Sequence, residues 1–411
     1  LVGEAALRRL ILDDGLMGHQ GSVDPFDLNA IAPELSKSLL AWWEVHGRKD
    51  PALKPWMFLK MCQWPKPLHL LDPYGIWIAE VMLQQTQLQV VLPYWTRWME
   101  RFPRLEDLAE ADEQAVLLSW QGLGYYSRAR RLKVAAGLLV AMGAGSADPS
   151  GWPSDLETWL ALPGIGRSTA GGILSSAFNS PLAILDGNVR RVLARLQAHP
   201  TPPMRAQAQF WLWSEALIAA APGRARDCNQ ALMDLGATLC TPRNPSCGIC
   251  PWCDHCAAYA AGTSEAYPVT DAPRSLPFSV IGVGVVLNKA GEVLIDQRLN
   301  EGLLGGLWEF PGGKQEPEEV ITDTIARELR EELAIEVAVD QELITVDHAY
   351  SHKKLRFIVH LCRWVSGEPQ PLASQQVLWV KPEELGKYPF PAANARIIEA
   401  LHGHFKELAA T

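Results

Sequence analysis

Along residues 31–261, apolar side chains recur every three or four positions with little β-branched alternation, the repeat of amphipathic helices. The stretches 36–46, 75–87, 105–120 and 167–178 carry it most clearly. Residues 51–73 interrupt it with five prolines, counting both ends, and two tryptophans, which predicts a long inserted loop. Residues 262–276 are polar and rich in turn formers, as suits an interdomain linker. Beyond them the period changes. Residues 278–286, 293–297, 355–362 and 377–380 alternate and are rich in β-branched side chains, so strands are predicted there. Helices are predicted over about 317–333 and near 393–401. The expected organisation is multidomain: an extension (1–32), an all-α domain (33–262), a linker (263–277) and an α+β domain (278–405).

A length of 411 residues suits two or three domains, and 48% apolar against 20% charged side chains excludes wholesale disorder. No apolar run approaches the roughly 20 residues that span a bilayer, so a cytoplasmic protein with no membrane partner is expected. The net charge of −9 at first argues against nucleic acid. Its distribution reverses that. Residues 271–411 hold 14 basic and 21 acidic side chains, whereas residues 31–270 hold 21 and 20, and a neutral body can present a basic face to DNA.

Five of the eight cysteines fall within residues 240–256. Cys240, Cys247, Cys250 and Cys256 follow C-x6-C-x2-C-x5-C, and four thiolates in one short loop can enclose an iron–sulfur cluster or zinc. Cys253 leaves the choice of ligands ambiguous, because 247, 250, 253 and 256 are equally spaced. Cys62, Cys228 and Cys362 stand alone and read as structural.

Residues 162–170, LPGIGRSTA, precede a helix. Gly164 and Gly166 allow a sharp turn whose N–H groups, with Arg167 beside them, suit a DNA phosphate. A plain helix connection would use the same turn. ILDGNVRR (184–191) then places Asp186 after two apolar residues, and Glu80 lies in a strongly apolar helix, where a carboxylate without a purpose is costly.

Taken together these segments resemble a known superfamily. The cysteine spacing resembles the iron–sulfur loop of endonuclease III-type DNA glycosylases, which implies a 4Fe–4S cluster on Cys240, Cys247, Cys250 and Cys256. Asp186 falls on the catalytic aspartate of the helix–hairpin–helix glycosylases. YGIWIAEVMLQQTQ (74–87) and QGLGYYSRARR (121–131) are similar to the adenine DNA glycosylases, which remove adenine mispaired with 8-oxoguanine, and the resemblance covers about 35–262. It implies that Glu80 protonates adenine and helps activate water, that Asp186 stays ionised beside the sugar cation, and that Asn188 supports it. Ser168 stands where endonuclease III-like relatives carry a nucleophilic lysine, so a monofunctional enzyme is expected. Gln85 and Tyr125 match the residues that fill the gap left by an extruded base, Tyr126 being the weaker candidate of the tyrosine pair.

A second box follows. Gly313, Glu319, Arg327, Glu328, Glu331 and Glu332 match the Nudix signature, with Ala334 where glycine is usual. Glu328, Glu331 and Glu332 share one helical face and would be reconciled by Mg²⁺ on a diphosphate. Residues 278–405 resemble the 8-oxo-dGTP pyrophosphohydrolases, with Asn394 on their base-reading asparagine. HAYSH (348–352) is similar to the loop by which adenine glycosylases recognise 8-oxoguanine, Ser351 and His352 included. The expected protein is a monomeric, nucleoid-associated adenine glycosylase acting on duplex DNA with adenine opposite 8-oxoguanine or guanine. Hydrolysis of 8-oxo-dGTP is the further possibility, a purely binding C-terminal module the non-catalytic one, and action on oxidised pyrimidines is disfavoured by Ser168.

Overall fold

The computed structural model describes residues 27–410 apart from 146–147, 273–274 and 351–352. The first helix, Leu28–His46, is capped by the Asp27 carboxylate, which accepts the Asn29 N–H at 3.0 Å. Residues 28–32 therefore belong to the helix, not to the extension assigned to 1–32. Helices from Pro73 to Phe178 close around one core that holds Trp77, Trp98, Trp120 and Trp159. Leu28–His46 returns to pack with Gly187–Leu196, Gln207–Ala219 and Ala225–Thr238 around Trp43, Phe210 and Trp213. The all-α domain thus has two half-cores with a cleft between them.

Differences from the sequence reading have local causes. The helix expected over 75–87 is Pro73–Met82, because Gln85 turns into the left-handed region at φ +58°. The helix expected over 105–120 is two, Leu105–Glu110 and Glu113–Trp120. Asp112 separates them by accepting the N–H groups of Gln114 and Ala115. Residues 51–73 contain two short 3₁₀ turns, Pro55–Met57 and Lys60–Cys62. This insertion is tied to the second half-core, since Arg226 donates to the carbonyls of Lys66 and His69 at 3.2 and 2.7 Å.

The C-terminal domain is a mixed sheet of β1 (Phe278–Leu287), β2 (Val293–Gln297), β3 (Trp308–Glu309), β4 (Gly312–Lys314), β5 (Glu336–Ala349), β6 (Lys354–Ser366) and β7 (Gln376–Val380). The order is β3-β2-β1-β6-β5, with β4 added to β1 and β7 to β2. β1 and β6 run parallel, and the other pairs are antiparallel. Successive β1 side chains face opposite layers. Val283 and Val285 pack with Ile397 and Leu401 of Ala392–Ala410, and Val286 packs with Ile325 and Leu329 of Ile321–Leu333.

The domains meet directly. Leu307 enters the first half-core of the helical domain, and Gln114 clasps the same loop, accepting from Trp308 Nε1 and donating to the Gly306 carbonyl, each at 3.0 Å. Tyr126 is buried here, donating its hydroxyl to the Phe390 carbonyl at 3.0 Å. Among the described residues no helix is long and apolar enough to cross a membrane.

Candidate active site

The cleft between the half-cores encloses about 970 Å³ and is lined by both carboxylates singled out by sequence. Glu80 comes from the first half, on Pro73–Met82, whose other nine residues are buried. Its carboxylate alone turns to the cleft. Burial, and then the charge of Asp186, push its pKa up to about 7 against the pull of Lys54. The helix Arg167–Phe178 makes room for it at Gly172, where a Cβ would meet Glu80 Oε2 at 2.8 Å.

Asp186 comes from the second half as the N-cap of Gly187–Leu196. Its Oδ1 accepts the Val189 N–H at 2.8 Å and its Oδ2 the Asn188 amide at 3.2 Å. Burial raises its pKa, although these donors and Arg191 favour the ionised form. Arg191 donates to Asn188 Oδ1 at 2.9 Å, to the Gly236 carbonyl at 2.7 Å and, through Nε, to the Cys240 carbonyl at 2.8 Å. One guanidinium therefore joins the support of Asp186 to the cysteine loop.

Ser168 lies in the same cleft, its hydroxyl accepting the Leu185 N–H at 3.0 Å. Gly164, at φ +85°, makes the hairpin turn, and Gly166 precedes the helix without a side-chain cap. Arg167 pairs with Glu215 at the surface and stacks 4.1 Å above the Trp211 ring. Gln85 lines the cleft, and Tyr125, 48% exposed at φ +50°, stands free of the core that swallows Tyr126.

Lys54 and Gln230 also line the cleft and went unnoticed in the sequence, because neither belongs to a motif quoted there. Lys54 Nζ donates to Gln230 Oε1 and Asp234 Oδ1, each at 2.8 Å, and burial draws its pKa down to about 8. Lysine donates only, so it fixes the Gln230 amide with its oxygen toward the ammonium.

Cys240, Cys247, Cys250 and Cys256 line a second cavity with Arg195 and Trp252. Burial and the neighbouring thiols push Cys250 up to about 12. Cys253 borders the same cavity, but its Sγ lies 3.6 Å from Asp254 Oδ1. Arg195 Nη1 approaches Cys240 Sγ at 3.3 Å. Among the described residues no three His, Cys, Asp or Glu side chains are spaced to grip a single ion. Four soft thiol donors around one shared cavity fit a cluster of several atoms.

In the C-terminal domain, Gly313 lies against Glu328, where a Cβ would sit 2.0 Å from the carboxyl carbon. Arg327 gathers Glu319, Glu328 and Glu331. Glu332 is pushed up to about 7 by burial, then by Glu328 and Glu309. Buried Asp296 and half-buried Glu309, cross-strand partners on β2 and β3, add two acids to those the signature supplies. Asn394 is buried at the start of Ala392–Ala410, its backbone N–H donating to the Pro391 carbonyl at 3.0 Å. Ser351 and His352 lie outside the described residues. Ala334 ends its helix at φ +55°, the left-handed position that glycine favours.

Comparison with known proteins agrees with both halves. Residues 78–215 match the HhH-GPD superfamily of base excision DNA repair proteins, and residues 282–400 match the NUDIX domain. A thermostable thymine-DNA glycosylase of known structure is 25% identical, covering 57% of this chain and 100% of its own, at a TM-score of 0.46. The two family matches place a base excision DNA repair superfamily region ahead of a NUDIX domain. The mouse adenine DNA glycosylase is 33% identical over 94% of this chain and 82% of its own length, and the human one 33% over 80% and 68%. The chain belongs to the adenine DNA glycosylases, enzymes that hydrolyse N-glycosidic bonds in base-excision repair.

Proposed function

We propose that the enzyme excises adenine opposite 8-oxoguanine or guanine in duplex DNA and leaves an abasic site. The carrying observation is the pairing of Glu80 and Asp186 across one cleft from different half-cores. Breaking the bond needs a proton on the departing base and negative charge beside the developing sugar cation. A carboxyl with a pKa near 7 holds the proton at working pH, so Glu80 is the acid. Asp186, accepting from Val189 and Asn188, is the better anion and stabilises the cation. Ser168 offers no amine, so no Schiff base forms there and the strand stays intact. Gln85 and Tyr125 occupy the space of the extruded adenine. N–H groups of the Gly164–Gly166 hairpin hold a phosphate, with Arg167 beside them.

Cys240, Cys247, Cys250 and Cys256 would hold a 4Fe–4S cluster, which supplies structural closure of the loop that Arg191 and Arg195 already tie to the Asp186 helix. Residues of the C-terminal domain, Ser351, His352 and Asn394, read the opposite 8-oxoguanine. The domain assignment, with the helical domain taken from Leu28 to 262, a linker over 263–277 and the C-terminal domain over 278–405, is part of this reading. A second reading adds Mg²⁺-dependent hydrolysis of 8-oxo-dGTP, favoured by Gly313 and the clustered Glu328, Glu331 and Glu332 beside Glu309.

The test measures adenine release from duplexes with adenine opposite 8-oxoguanine, guanine or thymine, with strand scission read on the same gel. Release confined to the first two, without scission and abolished by Glu80→Gln or Asp186→Asn, is expected. Full activity in either variant would overturn the assignment. Hydrolysis of 8-oxo-dGTP that Glu332→Gln removes while adenine release persists would establish the second activity, and none would leave a reader domain.

A further inference from the structure

Gln85 and Tyr125 both hold left-handed backbone, at φ +58° and +50°, on loops from separate segments of the chain. Neither is glycine, so each conformation persists only where its surroundings over-determine it. The shared surrounding is one buried side chain, Arg128, which is 6% exposed. Its Nη1 donates to the carbonyls of Val81, Met82 and Gln84 at 2.9, 3.0 and 2.7 Å. Its Nη2 donates to Thr86 Oγ1 at 3.3 Å and to the carbonyls of Leu123 and Gly124 at 3.2 and 3.1 Å. The anchors flank Gln85 on both sides and immediately precede Tyr125. Arg128 also lies under the Tyr125 ring, 5.6 Å from its centroid, and within 5.1 Å of that of Trp120.

We infer that Arg128 is a positioning residue for base extrusion, a single guanidinium that fixes both wedge side chains in one relative geometry. The inference rests on the wedge roles proposed for Gln85 and Tyr125. Arginine is required because its planar fork serves acceptors from two directions at once. Burial lowers its pKa only to about 10, so the charge persists at neutral pH. A lysine would place one point charge and could serve one loop or the other. Without the fork the loops move independently, and displacements of about 1 Å cost rates on the order of 100-fold.

The experiment places 2-aminopurine at the adenine position opposite 8-oxoguanine and follows its fluorescence, which rises on unstacking, together with single-turnover adenine release and duplex affinity. Arg128→Met and Arg128→Lys should lose the fluorescence rise and slow release about 100-fold, while affinity changes by only a few-fold. Arg128→Lys, which keeps charge and bulk, is decisive if Arg128→Met melts early. Wild-type fluorescence and rate in folded Arg128→Lys overturn the inference. Gln85→Ala and Tyr125→Ala run alongside: if they too extrude the base normally, the wedge reading itself has failed. If they lose extrusion while Arg128→Lys retains it, only the tie has failed.

Discussion

Gly172 and Glu80 face each other across two helices, and a Cβ at position 172 would stand 2.8 Å from Glu80 Oε2 and 3.0 Å from its Cδ. The obstacle is the end of a flexible side chain, so the carboxylate would move and the helix would stay. Alanine is also the better helix former by roughly 0.8–1.0 kcal/mol. Gly172→Ala should therefore melt no lower than the parent while adenine release falls on the order of 10- to 100-fold. Thermal unfolding and single-turnover rates on the same preparation check this, and an unchanged rate would remove Gly172 from the site.

The pKa of Glu80, about 7 against the ordinary 4.5, makes two pH predictions of opposite use. Between those values the folded protein retains a proton that the unfolded chain has released, so stability at this site falls as pH rises from 4.5 to 7 and stays lost above. Glu80→Gln should then be more stable than the parent at pH 8, on the order of 1–3 kcal/mol, and equal to it near pH 4. Adenine release by the parent should decline as pH passes through about 7, because the acid loses its proton. Denaturant titrations at the two pH values and a pH–rate profile measure both effects. A flat profile would take the acid role from Glu80.

What the sequence disclosed and what it concealed differ in kind. Helices with a strong repeat were legible, and the stretch 167–178 coincides with Arg167–Phe178. Boundaries set by single residues were not: Gln85 stops one helix early, and Asp112 divides another. β5 escaped notice because most of its fourteen residues are half-buried or exposed and show no clean alternation. Glu80 and Asp186 were visible through their motifs, but Lys54, Gln230 and Asp296 were not. Each of those belongs to the site only because distant segments meet, and nothing in local spacing announces such a meeting.

Ala334 occupies a left-handed helix exit at φ +55°, ψ +36°. An L-residue with a Cβ pays roughly 1–2 kcal/mol there, partly offset by the freedom glycine would gain in the unfolded chain. Ala334→Gly should stabilise the C-terminal domain by about 1 kcal/mol and leave adenine release from a guanine mispair unchanged. Calorimetry resolves the domain's transition, and a lowered midpoint would show that Ala334 makes contacts worth more than the strain.

Cys253 tests the division of labour in the cysteine loop. It shares the cavity edge with Cys240, Cys247, Cys250 and Cys256, yet its thiol is drawn to Asp254, whereas burial and mutual repulsion act together on Cys250 and Cys256. Thiols crowded in this way are relieved when they ligate a cation, since coordination replaces protons by shared positive charge. Cys253→Ser should therefore keep iron, inorganic sulfide and adenine release near parental levels. Cys250→Ser should lose iron and sulfide, loosen the loop that Arg191 and Arg195 grip, and lower adenine release through the Asp186 helix those arginines share. Chemical analysis of both variants alongside the parent decides the matter. Iron lost from Cys253→Ser and kept in Cys250→Ser would exchange the two roles, and zinc in the parent at one per chain would replace the cluster altogether.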